Sequence, residues 1–393
     1  MSIVNTCIVT QVASHQSRQA IRRAIKDNPG GLVAAVGCYP QVFPEELCEI
    51  KGLALAVGNA AKDRLPELLQ GADGAPSHWV EREPPFCKTF PNTLPVSGRT
   101  RAMLKIQDGC DSFCSYCIVP YARGPVRSLE PERVMETLAA LSGKAYREVV
   151  LTGIHLGRYG VDLKPSLTLK DLLAAIGREK LPLRIRLSSL EPKEVSREIV
   201  EMVASEAWLC RHFHIPLQSG DNHVIQRMNR HYTAEEFRSL IETIHRQVPL
   251  AAIGVDILAG FPGEDERAFL STYTLVKDLP LSYFHVFPFS ARTGTPASTF
   301  PDRVPGDEIK ERAARLRLLG QEKRQAFFEG CVGNTFAALT EGWHEKGRAI
   351  KGLSDNYLPV VFPSTSFSQG ELVGVRVERV DKKAVQGTRL TPK

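Results

Sequence analysis

The sequence Cys110-Asp111-Ser112-Phe113-Cys114-Ser115-Tyr116-Cys117 places three cysteines within eight residues, in the spacing Cx3Cx2C. The apolar run Met103–Ile106 precedes it and predicts a buried strand. Three thiolates can hold one soft metal centre, whereas four would close a structural zinc site or an ordinary four-cysteine cluster. The loop therefore predicts a metal centre with one open position. Two alternatives are three buried structural cysteines and a zinc site that a distant Cys or His completes.

Strand-like and helix-like segments alternate behind this loop. The apolar runs that indicate strands are Met103–Ile106, Val149–Leu151, Ile185–Leu187, His212–Leu217, Ile253–Leu258 and Phe284–Phe289. The helix-like segments between them are Pro131–Leu141, Leu169–Ile176, Ser196–Ala204, Ala234–Val248 and Glu266–Lys277. Six such units predict an α/β fold, a (β/α)6 partial barrel with its site at the carboxyl ends of the strands. This repeat argues against a plain zinc ribbon.

The flanking regions have different patterns. The N-terminal residues alternate strand-like and helix-like segments and predict a small α/β domain, and a stretch rich in Gly, Pro and Ser follows it as a linker. Short apolar strands separated by turn residues at the C-terminal end predict a small all-β barrel. The predicted domains are residues 1–70, a linker over 71–98, the barrel domain over 99–328, and the β-barrel over 329–393.

Composition excludes several classes of protein. The chain has 393 residues, of which 43% are apolar and 24% charged, and this is enough to bury a sizeable core. Its nine cysteines are too few for a disulfide scaffold of this length. The first residues do not have the pattern of a signal peptide, and no segment reaches the roughly 18 apolar residues of a membrane helix. We expect a cytoplasmic monomer that does not bind a membrane; the net charge of +6 is compatible with nucleic-acid binding.

The cysteine loop, placed after the first strand of a (β/α)6 domain, resembles the radical S-adenosylmethionine superfamily. Five phrases are similar to its methylthiotransferase family and occur in the same order. They are residues 105–124 around the cysteine loop, Leu151-Thr152-Gly153-Ile154-His155-Leu156-Gly157, Arg186-Leu187-Ser188-Ser189-Leu190-Glu191-Pro192, His214-Ile215-Pro216-Leu217-Gln218-Ser219-Gly220 and Asp256-Ile257-Leu258-Ala259-Gly260-Phe261-Pro262-Gly263-Glu264. The resemblance covers nearly the whole chain.

The resemblance implies a cofactor and a reaction. In the family the three cysteines bind a [4Fe–4S] cluster, whose open iron chelates S-adenosylmethionine and reduces it to yield a 5′-deoxyadenosyl radical. The expected metal ligands are Cys110, Cys114 and Cys117, and the expected S-adenosylmethionine contacts are Tyr116, Gly153, Ser188, Glu191 and Gln218. Alternatives remain, since Tyr116 could pack in the core and Glu191-Pro192 could be a helix-start signal.

Two N-terminal cysteines extend the resemblance. Val4-Asn5-Thr6-Cys7 and Val36-Gly37-Cys38-Tyr39 are similar to two of the family's three auxiliary-cluster motifs, so Cys7 and Cys38 are expected to bind a second [4Fe–4S] cluster. The family's third cysteine comes from a Leu-Gly-Cys motif at the end of a first strand, which this sequence lacks. The recorded start could be too late, the chain could be naturally shortened and impaired, or Cys48 or Cys87 could substitute.

The C-terminal domain resembles a TRAM domain, which the family uses to hold a macromolecular substrate. Its candidate phosphate contacts are Arg348, Lys351, Arg376 and Arg379. The phrases around the cysteine loop most resemble the MtaB type, which methylthiolates carbon 2 of N6-threonylcarbamoyladenosine beside the anticodon of tRNA. The implied partners are tRNA, a flavodoxin-like or ferredoxin-like electron donor and a sulfur source. Alternatives are a prenylated adenosine in tRNA, a ribosomal protein, or a non-catalytic iron–sulfur RNA-binding protein.

Overall fold

The computed structural model describes residues 1–71, 100–344, 348–364, 366, 368–381 and 384–390, and residues 77–79 by their backbone alone. The chain divides into two units. The first comprises residues 1–92, 108–127 and 290–300, and the second comprises residues 93–107, 128–289 and 301–393. The cysteine loop therefore belongs to the same unit as the N-terminal cysteines, and each unit is described by itself below.

A parallel four-stranded sheet forms the first unit, with the strand order β1-β2-β3-β4. Its elements are β1 (Ser2–Thr6), α1 (Gln11–Asp27), β2 (Val33–Gly37), α2 (Cys38–Val42), α3 (Pro44–Cys48), β3 (Leu55–Gly58), α4 (Leu65–Gln70) and β4 (Ser77–Trp79). Both faces of β2 and β3 are covered, and every residue of these two strands is buried. Continuous apolar strands such as Val33-Ala34-Ala35-Val36 are typical of parallel sheets with two covered faces.

Six parallel strands form the barrel of the second unit. They are β5 (Ala102–Lys105), β8 (Glu148–Thr152), β9 (Arg184–Leu187), β10 (His212–His214), β11 (Ala252–Ala259) and β12 (Tyr283–Pro288). Along the chain, two strands of two residues and one short helix lie between β5 and β8. They are β6 (Gln107–Asp108), α5 (Val119–Arg123) and β7 (Arg127–Ser128). The strands pair as β5-β8-β9 and β10-β11-β12, and a parallel bridge between Ile185 and Leu209 joins the two sets.

Helices alternate with these strands: α6 (Pro131–Gly143), α7 (Leu169–Arg178), α8 (Arg197–Ser205), α9 (Asn222–Arg227), α10 (Ala234–Gln247) and α11 (Glu266–Asp278). Several of them begin at side chains that satisfy the free N–H groups of the first turn. Thr168 and Thr233 each form a capping box, with Asp171 and Glu236 respectively. This local chemistry explains why α7 and α10 begin where the sequence predicts.

A closed five-stranded barrel ends the second unit, in the order β13-β14-β15-β17-β16, and the long helix α12 (Gly306–Gly330) precedes it. Its strands are β13 (Thr335–His344), β14 (Ala349–Ser354), β15 (Pro359–Pro363), β16 (Leu372–Val380) and β17 (Val385–Arg389). Buried apolar side chains fill the interior; they include Phe336, Ile350, Phe362, Val375 and Val385.

A buried group of charges joins this small barrel to the six-stranded one. Glu148 is completely buried and lies 2.6 Å from Arg184 and 2.8 Å from Arg186, measured from carboxylate oxygen to guanidinium nitrogen. The remaining guanidinium nitrogens donate to backbone carbonyls of the small barrel and its β14–β15 turn: Ala337, Leu353, Ser354 and Asp355. A charge group in which every member has a hydrogen-bond partner can be buried without leaving an unpaired charge.

The predicted fold class is confirmed, with a small α/β domain, a partial (β/α)6 barrel and a closed small β-barrel. Some elements were not predicted from the sequence: β14, β17 and the short helices α2 and α9. The predicted linker over 71–98 lies almost entirely outside the described residues, as does Cys87. Within the part of the chain that the structure describes, no helix is long and apolar enough to cross a membrane.

Candidate active site

The backbone of the cysteine loop is held in a tight turn. The N–H of Cys110 donates to the carbonyl of Gly124 at 2.9 Å, and the N–H of Cys117 donates to the carbonyl of Cys114 at 2.9 Å. Gly109 has a φ of +78°, and a Cβ on it would lie 1.8 Å from the carbonyl oxygen of Pro125. Only glycine fits this position, because any side chain would collide with the backbone that closes the loop.

The three cysteines fit a soft metal centre. Cys110, Cys114 and Cys117 are half-buried on one short loop, and none of them is in a disulfide. Their thiolates are the ligand type that iron–sulfur clusters require, and three of them leave one position for another ligand. Tyr116 lies on the same loop and is half-buried.

The two N-terminal cysteines follow strands that are neighbours in the sheet. Thr6 and Gly37 are paired in register, so the residues that follow them, Cys7 and Cys38, leave the same edge. Gly37 has a φ of +113°, and a Cβ on it would lie 2.8 Å from the carbonyl oxygen of Thr6. Cys7 is exposed and Cys38 is buried. Parallel register therefore places the two predicted ligands of the auxiliary cluster at one edge of the sheet.

Arg123 connects this edge to the cysteine loop, and the sequence analysis did not single it out. Burial opposes its charge, yet its pKa is raised because the Cys38 thiol, the Asp108 carboxylate and Cys7 lie close to it. Its guanidinium lies 3.5 Å from Asp108. A half-buried cation beside these cysteines places a positive charge where two predicted metal ligands meet. The only signal in the sequence was its place in the quoted phrase Tyr121-Ala122-Arg123-Gly124.

Asn59 is a second missed residue at this edge. Its side-chain amide lies 3.4 Å from the Cys38 sulfur and donates to the carbonyl of Ala122 at 2.8 Å. It thereby fixes Cys38 against the helix that follows the cysteine loop. Cys48, a candidate third ligand in the sequence analysis, ends α3 and packs against the core, and burial raises its pKa.

Four of the predicted S-adenosylmethionine contacts, Gly153, Ser188, Glu191 and Gln218, follow barrel strands of the second unit, whereas Tyr116 lies on the cysteine loop in the first. Glu191 is paired with Arg230; burial raises its pKa, and Arg230 acts in the opposite direction. Gly153 is tightly packed, because a Cβ there would lie 2.7 Å from the side-chain oxygen of Gln107. The close neighbour of this glycine is thus a protein side chain. Gln218 has a φ of +63° and pairs by its backbone with β11, accepting from Leu258 N–H at 2.9 Å.

An open cavity of about 820 Å³ in the second unit is lined by residues of the six-stranded barrel and of the small β-barrel. Its lining includes Ser188, one of the predicted contacts, and a group of polar and aromatic side chains from the last three strands: His212, His214, Asp256, Tyr283 and His285. The interior of a parallel barrel is ordinarily filled by branched apolar side chains. A cavity lined by titratable groups is therefore a candidate for binding or catalysis.

The four predicted RNA contacts are all exposed on the small β-barrel. Lys351 lies on β14, Arg376 and Arg379 lie on β16, and Arg348 immediately precedes β14. None of them forms an ion pair with a described residue, so their charges are open to an anionic partner.

The comparisons with known proteins agree with this fold. Residues 104–276 match the family model of the radical SAM superfamily, and residues 1–58 match that of an uncharacterized protein family, UPF0004. Among solved structures, a radical S-adenosylmethionine methyltransferase, TsrM from Kitasatospora setae, has a TM-score of 0.56 and 17% identity, covering 75% of this chain and 62% of that one. The barrel is thus that of a radical SAM enzyme.

Curated relatives identify the family within the radical SAM superfamily to which the chain belongs. A protein of Bacillus subtilis (strain 168), called threonylcarbamoyladenosine tRNA methylthiotransferase MtaB, is 36% identical over 95% of this chain and 84% of its own length. A protein of Pelotomaculum thermopropionicum, called tRNA-2-methylthio-N(6)-dimethylallyladenosine synthase, is 34% identical over 95% of this chain and 86% of its own length. The chain belongs to the radical SAM methylthiotransferase family, and this membership implies a 4Fe–4S cluster and S-adenosylmethionine.

Proposed function

We propose that the chain inserts a methylthio group at carbon 2 of N6-threonylcarbamoyladenosine in tRNA, next to the anticodon. The observation that carries this proposal is the cysteine loop with its three thiols, placed in one unit with the Cys7–Cys38 pair and connected to it by Arg123. A relative named for this reaction and similar over most of its length supports the choice of substrate.

The residues have separate tasks in this proposal. Cys110, Cys114 and Cys117 would hold the cluster that binds and reductively cleaves S-adenosylmethionine. Cys7 and Cys38 would hold an auxiliary cluster for the sulfur step, and Arg123 would lie beside them as a positive charge. Tyr116, Gly153, Ser188, Glu191 and Gln218 would position S-adenosylmethionine. No side chain is needed as a general base, since the chemistry belongs to the cofactors.

The exposed cations of the small β-barrel would bind the tRNA backbone. Phosphate contacts of this kind fix the orientation of a nucleic acid without reading its sequence. Arg348, Lys351, Arg376 and Arg379 are suited to it, because each is exposed and without an ion-pair partner among the described residues. We further propose a cytoplasmic location and a monomeric enzyme, with a small electron-transfer protein as reductant and an external sulfur source.

The test is anaerobic reconstitution of the chain with iron and sulfide, followed by assay with S-adenosylmethionine, reductant and tRNA that lacks the modification. Cys114→Ala should abolish the release of deoxyadenosine, because one ligand of the three is lost. Cys38→Ala should spare that release and stop the formation of methylthiolated nucleoside. Cys48→Ala is the matched control and should change neither.

Each contrary result has a defined meaning. Release of deoxyadenosine by Cys114→Ala would refute the assignment of the cluster loop. Loss of methylthiolation in Cys48→Ala would identify Cys48 as an auxiliary ligand. The mass of the modified nucleoside separates threonylcarbamoyladenosine from the dimethylallyladenosine alternative, for which the Pelotomaculum relative is named. A wild-type chain that binds a cluster and tRNA but never cleaves S-adenosylmethionine would be a non-catalytic binding protein.

A further inference from the structure

Three neighbouring strands of the barrel present a group of nitrogen and oxygen donors to the cavity. His214 lies on β10, Asp256 on β11 and His285 on β12, and Asp256 and His285 are paired in register. Side chains on a strand alternate between its two faces. The cavity lining follows this period, since His212 with His214 and Tyr283 with His285 are each two residues apart.

The three side chains converge on one point. One carboxylate oxygen of Asp256, Oδ1, lies 3.1 Å from Nε2 of His214 and 3.2 Å from Nδ1 of His285. The three donor atoms all lie within 4.8 Å of one another. Adjacent ligands of an ion with bonds of about 2.1 Å are separated by about 3 Å when the angle at the ion is near 90°. The separations from the Asp256 oxygen therefore match adjacent positions around one ion.

The orientation of His214 supports a ligand role. Its Nδ1 lies 2.7 Å from the hydroxyl of Ser189, which fixes the ring, and its other nitrogen is turned towards Asp256. That second nitrogen, Nε2, is buried and faces Oδ1 of Asp256 at 3.1 Å, out of line for a hydrogen bond, and the side chain is 10% exposed. Metal-binding histidines characteristically use one ring nitrogen for the ion and the other for a hydrogen bond that orients the ring.

The surrounding charges do not already neutralise Asp256. Arg186 also lines the cavity, but its guanidinium is paired with Glu148, and Arg101 is paired with Glu341 at 3.1 Å. The imidazoles of His214 and His285 are the basic groups that contact the Asp256 carboxylate. Two imidazoles and one carboxylate with open positions form a donor set that suits a divalent first-row transition metal.

We propose that His214, Asp256 and His285 bind one divalent transition-metal ion at this cavity, without a cysteine ligand. The open coordination positions of this ion would face a cavity whose volume, about 820 Å³, is that of a small-molecule site. An oxygen or nitrogen donor of the cavity's occupant would complete the coordination. The site shares its cavity with Ser188, a proposed S-adenosylmethionine contact, and metal binding can be tested without turnover.

Manganese(II) is a suitable probe, because it prefers imidazole, carboxylate and water to thiolate ligands and so leaves the cysteines alone. The full chain, with its cluster reconstituted and loosely bound metal removed by a chelator, is titrated with Mn²⁺. Electron paramagnetic resonance then measures free Mn²⁺ and detects couplings to nitrogen. We expect one bound Mn²⁺ per chain with coupling to two imidazole nitrogens.

Asp256→Asn and His285→Gln should each weaken this binding by about tenfold or more, because each removes one ligand of three. His223→Ala is the matched control, since His223 is exposed on α9, and it should bind as the wild type does. Circular dichroism confirms that each variant is folded. A wild-type chain that leaves millimolar Mn²⁺ free, or Asp256→Asn with unchanged binding, would overturn the proposal and leave the three residues as a hydrogen-bonded network.

Discussion

Three carboxylates of the second unit, Glu148 and Glu264 buried and Asp256 half-buried, differ in how completely their partners satisfy them. Glu148 contacts two arginines, whose other nitrogens donate to carbonyls of the small β-barrel. Glu264 contacts a single arginine, the buried Arg312, at 3.1 Å. Asp256 contacts two imidazoles beside a cavity. The first arrangement uses the guanidinium nitrogens of both arginines and joins the two barrels, whereas the last borders a cavity and leaves Nε2 of His214 without a well-aligned hydrogen bond. Incomplete satisfaction marks the site that can accept a ligand.

The largest effect on stability is expected for Glu148→Gln. The isosteric change leaves Arg184 and Arg186 buried without a counter-charge, and this should lower the free energy of unfolding by about 3–5 kcal/mol. Equilibrium unfolding in urea, followed by far-UV circular dichroism, measures the change. Glu198→Gln, on the exposed face of α8, is the control and should have no measurable effect. If Glu148→Gln lowers the free energy of unfolding no more than the control does, the charge group around Glu148 does not stabilise the attachment of the small β-barrel.

Glu264 should make stability depend on pH. Burial raises its pKa to about 7, against the opposing influence of Arg312 and the Gly260 N–H. The folded state therefore holds this proton more tightly than the unfolded state, so the stability that the proton provides is complete below pH 4.5 and falls as the pH rises to about 7. Between pH 5 and 8 the wild type should lose up to about 3 kcal/mol relative to Glu264→Gln.

The measurement is the difference in unfolding free energy between the two chains at several pH values. Glu201→Gln, on the surface of α8, supplies the comparison that corrects for general effects of pH. A difference between wild type and Glu264→Gln that stays constant from pH 5 to 8 would place the pKa of Glu264 in its ordinary range.

Gly254→Ala tests the packing of the cavity wall. A Cβ at this position would lie 2.0 Å from the ring of Tyr283, so the ring must move. Tyr283 is hydrogen-bonded to His212 at 2.8 Å, and the displacement should cost about 1–3 kcal/mol of unfolding free energy. Gly143→Ala, near the end of α6 with nothing within 4 Å of its Cβ, should be neutral or slightly stabilising. Equal changes in unfolding free energy for the two variants would mean that the Tyr283 ring can move without cost.

The smallest effect on stability is expected for Asp256→Asn. Because the carboxylate borders a cavity, water can replace the hydrogen bonds that are lost, and the change should cost about 1 kcal/mol or less. The measurement is the same urea unfolding, at neutral pH without added metal. A loss of unfolding free energy as large as that of Glu148→Gln would show that Asp256, like Glu148, stabilises the fold.

Much of the fold could be predicted because its local signals are strong. The apolar runs and the capping residues Thr168 and Thr233 mark strands and helices without help from tertiary contacts. β14 was missed because Ala349–Ser354 alternates weakly and contains Gly352, whose Cβ would lie 2.8 Å from the carbonyl of Leu339. That glycine is required by a neighbouring strand, and sequence periodicity does not record such a requirement.

The candidate site could also be predicted only in part. The spacing of cysteines that are close in sequence indicates a metal site, as it does for Cys110, Cys114 and Cys117. Arg123 and Asn59 act on Cys38 from segments far along the chain, and the group of His214, Asp256 and His285 exists only because three strands are adjacent. Each of these residues stood in or near a quoted phrase or an apolar run, but nothing in one sequence shows which side chains meet.

Arg184 and Arg186 are two residues apart on β9. This spacing couples the attachment of the small β-barrel to the shape of the cavity wall. Arg186 holds carbonyls of the small β-barrel, stacks on Tyr357 and forms part of the cavity wall. A substitution that reshapes the cavity at this point must also loosen the attachment of the small barrel. A change in ligand preference at this wall is therefore coupled to the stability of the joint between the two barrels.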